Sequence, residues 1–347
     1  MKTTHWIGIV LMVLVISCRK ENRWEKVELS TEKVELKFSD LSEAFFDLNN
    51  SLESLQAAYP FFFDDETSNE DWEAQRRDSL ELGVFHSVQK TFPNQEYKNE
   101  LETVFAYYKH YFPTEIIPEI FTYSSGLQKV DFPIIFGRNE GVMFIALDGF
   151  LGENSDWYKM ERKYPYMTKT MNPQDLAPKV VQAIGREIVP FDPRQQAFID
   201  LMIYEGKKMI LADALLPKTS DELKIGYTHE EWDWAKANEG QIWNYFIEQN
   251  LIFDTDKSNR ERFLDPSPYS KFLNEIETDS PGRIGVWIGW QICKKYMDEN
   301  SEVSLEEFLQ SPTQLIFKES KYKPKKSDGD YTPRQQMSND EVDSSLE

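Results

Sequence analysis

The sequence predicts a predominantly helical α+β fold, and three observations carry that expectation. Amphipathic stretches of helical period recur through both halves of the chain, for example Leu41, Phe45, Leu48, Leu52 and Leu55 near the start and Leu176 to Pro217 in the middle. Between Ile116 and Leu147 the texture changes to short β-branched and aromatic runs punctuated by Pro and Gly, which is a small sheet rather than more helix. No internal repeat, phosphate loop or long apolar span competes with this picture, although 347 residues would by length alone allow two domains.

Residues 1–17 read as a signal peptide. Lys2 lies in a short polar start, and the apolar run from Trp6 to Ile16 is too short to cross a bilayer, which takes about 20 residues. Val15-Ile16-Ser17-Cys18 resembles a lipobox, in which the cysteine is acylated and becomes the mature N-terminus; the alternative is an ordinary secretory signal with a chance cysteine. Two or more acyl chains make anchoring stable, since each buried CH₂ contributes about 0.8 kcal/mol. Residues 18–35 then serve as a polar tether. With Cys18 acylated, Cys293 has no intrachain partner, and its place in the pattern Ile288, Ile292, Tyr296 marks it as a small core residue rather than a nucleophile.

A helix is expected over 40–58 with Asp40 as cap, followed by the aromatic cluster Tyr59 to Phe63, which is core packing at a helix end or a ligand-facing patch. Two more helices fit 69–90 and 95–110, the latter carrying Leu101, Val104, Phe105 and Tyr108. Strands are expected at 120–123, 132–136 and 142–147. Asp148 before Gly149 has the composition of a turn, with a functional role as the alternative.

The stretch from Leu176 to Pro217 organises the rest. It reads as two helices broken at Pro190, because proline has no N–H to donate and pushes its predecessor from helical angles. The second is expected to restart at once, with Asp192 as N-cap and Pro193 at the first helical position. At 100° per residue Glu205 falls inside the apolar stripe of Phe198, Leu201, Met202, Met209, Ala212 and Leu216, with Lys207 and Asp200 pointing away. Glu187 falls in the arc of Leu176, Val180, Ala183 and Ile184, with Arg186 to its side. A buried carboxylate must be protonated, hydrogen-bonded or paired. Three readings stay open: an acid/base or metal site, a structural pair such as Glu205 with Arg186, or a different helical phase.

Further on, His229-Glu230-Glu231-Trp232-Asp233 imitates a metal motif, yet Thr228 and Glu231 form the spacing of a capping box. His86 and His110 are isolated, so no Ser/His/Asp triad is in view. From Pro281 to about Asn300 a helix carries Gly282, Gly285 and Gly289 along one side, where another backbone can approach, and Arg283 at its start is a second candidate partner for Glu187 or Glu205. Residues 319–347 are polar, without apolar periodicity, and read as a disordered tail. A net charge of -21 disfavours nucleic acid and acidic headgroups, while an aromatic content of 14% suits a packed core and a protein-facing groove.

Arg186-Glu187-Ile188-Val189-Pro190 stands in the helix context of an HExxH zinc-protease motif, and Tyr204-Glu205-Gly206 is like the glutamate-glycine that follows it. With Phe144 to Gly152, Leu215-Leu216-Pro217, Pro281 to Gly285 and Trp287-Ile288-Gly289, in that order, the chain resembles the gliding-motility lipoprotein GldB family of Bacteroidota, itself related to a predicted zinc-protease family. The resemblance extends over most of 40–310 and makes one core, so it implies a single zincin-like, degenerate metalloprotease domain over 36–318 in which Gly141 to Leu147 is the sheet edge strand beside the cleft. In a working motif two histidines hold zinc and the glutamate is the general base; here the ligand positions are Arg186 and Pro190, neither of which can ligate. The site of Arg186, Glu187, Pro190 and Glu205 is therefore read as dismantled, with no metal and no cofactor. The resemblance implies a non-catalytic, lipid-anchored envelope protein that binds other motility-machinery proteins, facing the periplasm from the outer membrane because Arg19 is not an inner-membrane retention residue. The alternatives are a divergent peptidase or hydrolase using Glu187 and Glu205, and a receptor holding an extracellular peptide along 142–147 by β-augmentation.

Overall fold

The structure, a computed structural model, describes residues 23–325 except 30–33, 65 and 275. The expected signal peptide, Cys18 and residues 326–347 lie outside the described residues. Helices dominate, around one four-stranded mixed sheet. Strands β1 (Phe38–Asp40), β2 (Glu119–Tyr123), β3 (Ile134–Gly137) and β4 (Val142–Ala146) lie in the order β1-β2-β4-β3, with β1, β2 and β4 parallel and β3 antiparallel to β4. Ile120, Met143, Ile145 and Ile134 face the core, as period-2 alternation requires. On the opposite face the rings of Phe121 and Phe144 stack 5.3 Å apart, and Phe61 closes over both at 5.0 and 5.5 Å. The Tyr59 to Phe63 cluster thus roofs the sheet.

The expected 40–58 helix is two. Asp40 caps α1 (Leu41–Phe46) through the N–H groups of Ser42 and Glu43, then the Asp47–Asn50 turn intervenes before Ser51 caps a second helix, Leu52–Ala58. Residues 69–90 likewise divide, at the Arg76–Asp78 turn, into Asn69–Gln75 and α2 (Ser79–Thr91), because Asp78 supplies a fresh cap. The 95–110 expectation corresponds to α3 (Tyr97–Tyr111), whose Leu101, Val104, Phe105 and Tyr108 are buried.

In the middle of the chain α4 (Leu176–Ile188) ends before Pro190 as expected, with Val189 extended. The restart at Asp192 does not occur. Asp192 instead bonds the backbone and guanidinium of Arg194, and α5 (Phe198–Leu215) begins five residues later, where Phe198 and Ile199 donate backbone bonds to Asp254 and Ile252. The long α5 is enclosed on all sides; only Tyr204, Glu205 and Lys208 are partly exposed. The single apolar stripe of the sequence expectation is thus too narrow a view, since Asp200 and Lys207 are buried as well. Asp200 accepts a hydrogen bond from Thr313, and Lys207 donates to the carbonyls of Leu309 and Ser311 at 2.8 and 2.6 Å. Those partners lie on and between α7 (Leu305–Gln310) and α8 (Thr313–Ser320), which follow α6 (Ile284–Glu299). Farther along α5, Asp213 accepts from Lys224 and from the indole of Trp290 at 2.9 and 2.8 Å.

Helix α6 makes the most extensive packing with α5. A Cβ on Gly289 would sit 1.8 Å from the Met202 carbonyl oxygen, and one on Gly206 would sit 2.3 Å from the Gly289 oxygen. The two backbones therefore touch without side chains between them. Past residue 318 the chain stays packed: Ser320 is buried, and the Tyr322 hydroxyl donates to Glu239 at 2.8 Å.

Replacing Gly289 by Ala should lower unfolding free energy in urea by about 3 kcal/mol or more, because backbone must move. Gly185→Ala is the control, since its new Cβ meets only the flexible Lys208 stem and the Leu211 side chain at 3.2 Å and beyond. It should change stability by less than about 1 kcal/mol; similar losses for both would show that the crossing is looser than described.

Candidate functional site

The window left open on α5 faces a cleft of about 570 Å³, within the usual range for small-ligand sites. Its walls are α4, α5, the entry to β3, the Tyr166–Met171 segment, and the loops before α6. Six cationic and four acidic side chains line it, in a chain whose net charge is -21. Lys208 and Glu205, one helical turn apart, pair at 2.6 Å, and the ammonium also lies 4.6 Å from the Tyr204 ring. Burial lowers the pKa of Lys208, Glu205 opposes this, and the charges of Arg283 and Arg186 add to the lowering.

The motif residues are not gathered as their spacing suggests. Arg186 and Glu187 are exposed, and Pro190 is exposed beyond the helix end. Glu187 departs from the inward orientation because Ile184, Ile188 and Val189 fill the core under the last turn, leaving its carboxylate in water while its carbonyl accepts from Arg138 at 3.3 Å. The expected Glu205–Arg186 pair is replaced by Glu205–Lys208; Arg186 reaches the Ile134 carbonyl at 3.4 Å instead. Arg283, the second candidate partner, donates to the Ile225 carbonyl at 3.1 Å and also lines the cleft.

The sheet supplies another correction. Strand β4 is interior, hydrogen-bonded to β2 on one side and β3 on the other, so it has no edge on which a peptide could add. The edge strand beside the cleft is β3, and Ile134, whose carbonyl Arg186 meets, belongs to it. Asp148 is fully buried as a turn organiser: it accepts from the backbone N–H groups of Ser125 and Leu127 and from the Ser125 hydroxyl, and burial holds its carboxyl above the usual range.

Thr228 and Glu231 form the capping box, and Glu231 also pairs with Lys169. His229 is engaged by Glu222 and Asp233, while His86 and His110 are exposed. Cys293 is buried with its sulfur 3.7 Å from the Ile203 carbonyl oxygen, and burial pushes the thiol pKa up. Among the described residues no group of three His, Cys, Asp or Glu side chains could hold a metal, and no helix is long and apolar enough to cross a membrane. Zinc does not fit the motif helix, since arginine and proline stand where its ligands would.

Sequence reasoning passed over Lys179 and Lys208. A signal was available: Lys179, Gln182 and Arg186 recur at helical spacing along one side of α4, which is the side that lines the cleft.

Residues 21–324 match the model of a family described as gliding motility protein GldB. No curated protein and no solved structure matches.

Glu205→Gln removes the countercharge of a largely enclosed lysine and should cost about 1–2 kcal/mol in urea unfolding. Glu187→Gln should stay within about 0.5 kcal/mol, as expected of an exposed side chain. An equal cost for the two would place Glu187 in the core after all.

Proposed function

Because the chain belongs to the GldB family of gliding motility proteins, we propose that it works in gliding motility as a lipid-anchored envelope protein, acting by binding machinery proteins and not by catalysis. Anchoring through Cys18, at the periplasmic face of the outer membrane, is part of this reading and rests on the lipobox-like Val15 to Cys18. The observation that carries the non-catalytic part is the state of the two motif glutamates. Glu187 stands in solvent at the end of α4, outside the cleft lining, and Glu205, which does line the cleft, is paired with Lys208. The relation to zinc proteases belongs to the same proposal, supported by the succession of motif helix, glutamate helix and glycine-spaced helix around a cleft bordered by an edge strand.

A deletion strain complemented with the Glu187→Gln, Glu205→Gln double variant should spread as wild type does once protein abundance is matched by immunoblot. Loss of movement at normal abundance would favour the divergent hydrolase. Cys18→Ala should leave the membrane fraction and lose movement; retention in that fraction would overturn the anchor.

A further inference from the structure

The cleft holds more positive charge than its own carboxylates answer. Lys169 pairs with Glu231, Arg260 with Asp265, and Lys208 with Glu205. Lys179, Arg186 and Arg283 have no such partner: Lys179 lies 5.6 Å from the Phe150 ring, and the two arginines meet only backbone carbonyls. Their origins differ. Lys179 and Arg186 lie two turns apart on one face of α4, and Arg283 comes from the start of α6, where it takes a left-handed backbone with φ of 61°. Lys208 joins them from α5, and it is close enough to both arginines for their charges to depress its pKa, after the larger effect of burial.

Three unpartnered cations around one cavity repel each other, and enclosure strengthens that repulsion by lowering the local dielectric. Burial pushes the Lys179 ammonium down to about 8 despite Asp175 and Asp131 nearby. An arrangement of this kind is costly in the empty molecule and becomes favourable when an anion enters. Part of the wall is apolar, interspersed with polar side chains such as Thr170, Gln182 and Ser267. Met171, Met209, Ile225 and Leu264 are buried along it. Such a surface fits a short hydrocarbon body and gives a hydrated inorganic ion little reason to stay.

We propose that this cleft binds a small anionic molecule, with its carboxylate or phosphate on Lys179, Lys208, Arg186 and Arg283 and its apolar body against the methionine-lined wall. This site is independent of the motility reading, because it rests on the cleft alone and is tested by binding.

The test is isothermal titration of the full-length protein in a nonionic detergent against phenyl phosphate, 3-phenylpropionate and inorganic phosphate. One equivalent of phenyl phosphate or 3-phenylpropionate should bind, more tightly than inorganic phosphate, and which of the two is preferred identifies the head group. Lys179→Met and, separately, the exposed Arg186→Gln should each weaken the better probe about tenfold, the loss expected for one charge-assisted contact. The second variant keeps the test decisive if the first fails to fold, as judged by circular dichroism. No saturable binding of either organic probe would overturn the proposal, as would affinity unchanged in Arg186→Gln. Inorganic phosphate binding as tightly as phenyl phosphate would overturn the role of the apolar wall.

Discussion

The crossing of α5 and α6 is the constraint on which the remainder of the structure depends. At Gly206 and Gly289 the helices meet backbone to backbone, with no room for a Cβ at either position. The same row of glycines continues toward the start of α6. A Cβ on Gly285 would press on Leu264 and the Phe263 carbonyl, and one on Gly282 on the Ser267 carbonyl. Close approach along the whole row draws the loops before α6 in against the body, and that sets Arg283 across the cleft from Glu205 and Lys208. Gly206, Gly285 and Gly289 lie inside helices, where glycine costs about 1 kcal/mol each, and no larger residue permits this geometry.

A helix as enclosed as α5 would ordinarily be apolar on every side, yet it carries Asp200, Glu205, Lys207, Lys208 and Asp213. Each charge has a specific answer from a different neighbour: Thr313 for Asp200, two carbonyls beside α7 for Lys207, and Lys224 with Trp290 for Asp213. These contacts add little net stability over a hydrophobic alternative, but a rotated or shifted helix would leave several buried charges unanswered. They fix rotation and register where apolar packing alone would tolerate slippage.

Much of this was legible in the residues, for identifiable reasons. The break at Pro190 follows from ring geometry, the capping box at Thr228 from spacing, and the three strands between 119 and 146 from β-branched alternation. Strand β1 was not, because three residues, Phe38–Asp40, carry no period, and neither was the late start of α5, which depends on backbone bonds to Ile252 and Asp254 far along the chain. The inward setting of Glu187 fails for a related reason. Helical phase says which way a residue points, while burial also depends on what fills the core, and under the last turn of α4 that space is taken by Ile184, Ile188 and Val189. Which strand borders the cleft was likewise beyond reach, since the order β1-β2-β4-β3 places the last strand in sequence inside the sheet.

The start of the described chain also bears on reach. Arg23 donates to the carbonyls of Met297 and Val303, at 3.4 and 3.0 Å, and Trp24 is buried in the main core, so the packed body already includes residues within the stretch 18–35 expected to be a tether. Five residue steps separate Cys18 from Arg23, which even fully extended span at most about 18 Å, so an acyl chain on Cys18 would lie within that distance of the packed body. With that anchor in place the body would be held against its bilayer, and a partner would meet it at the membrane surface.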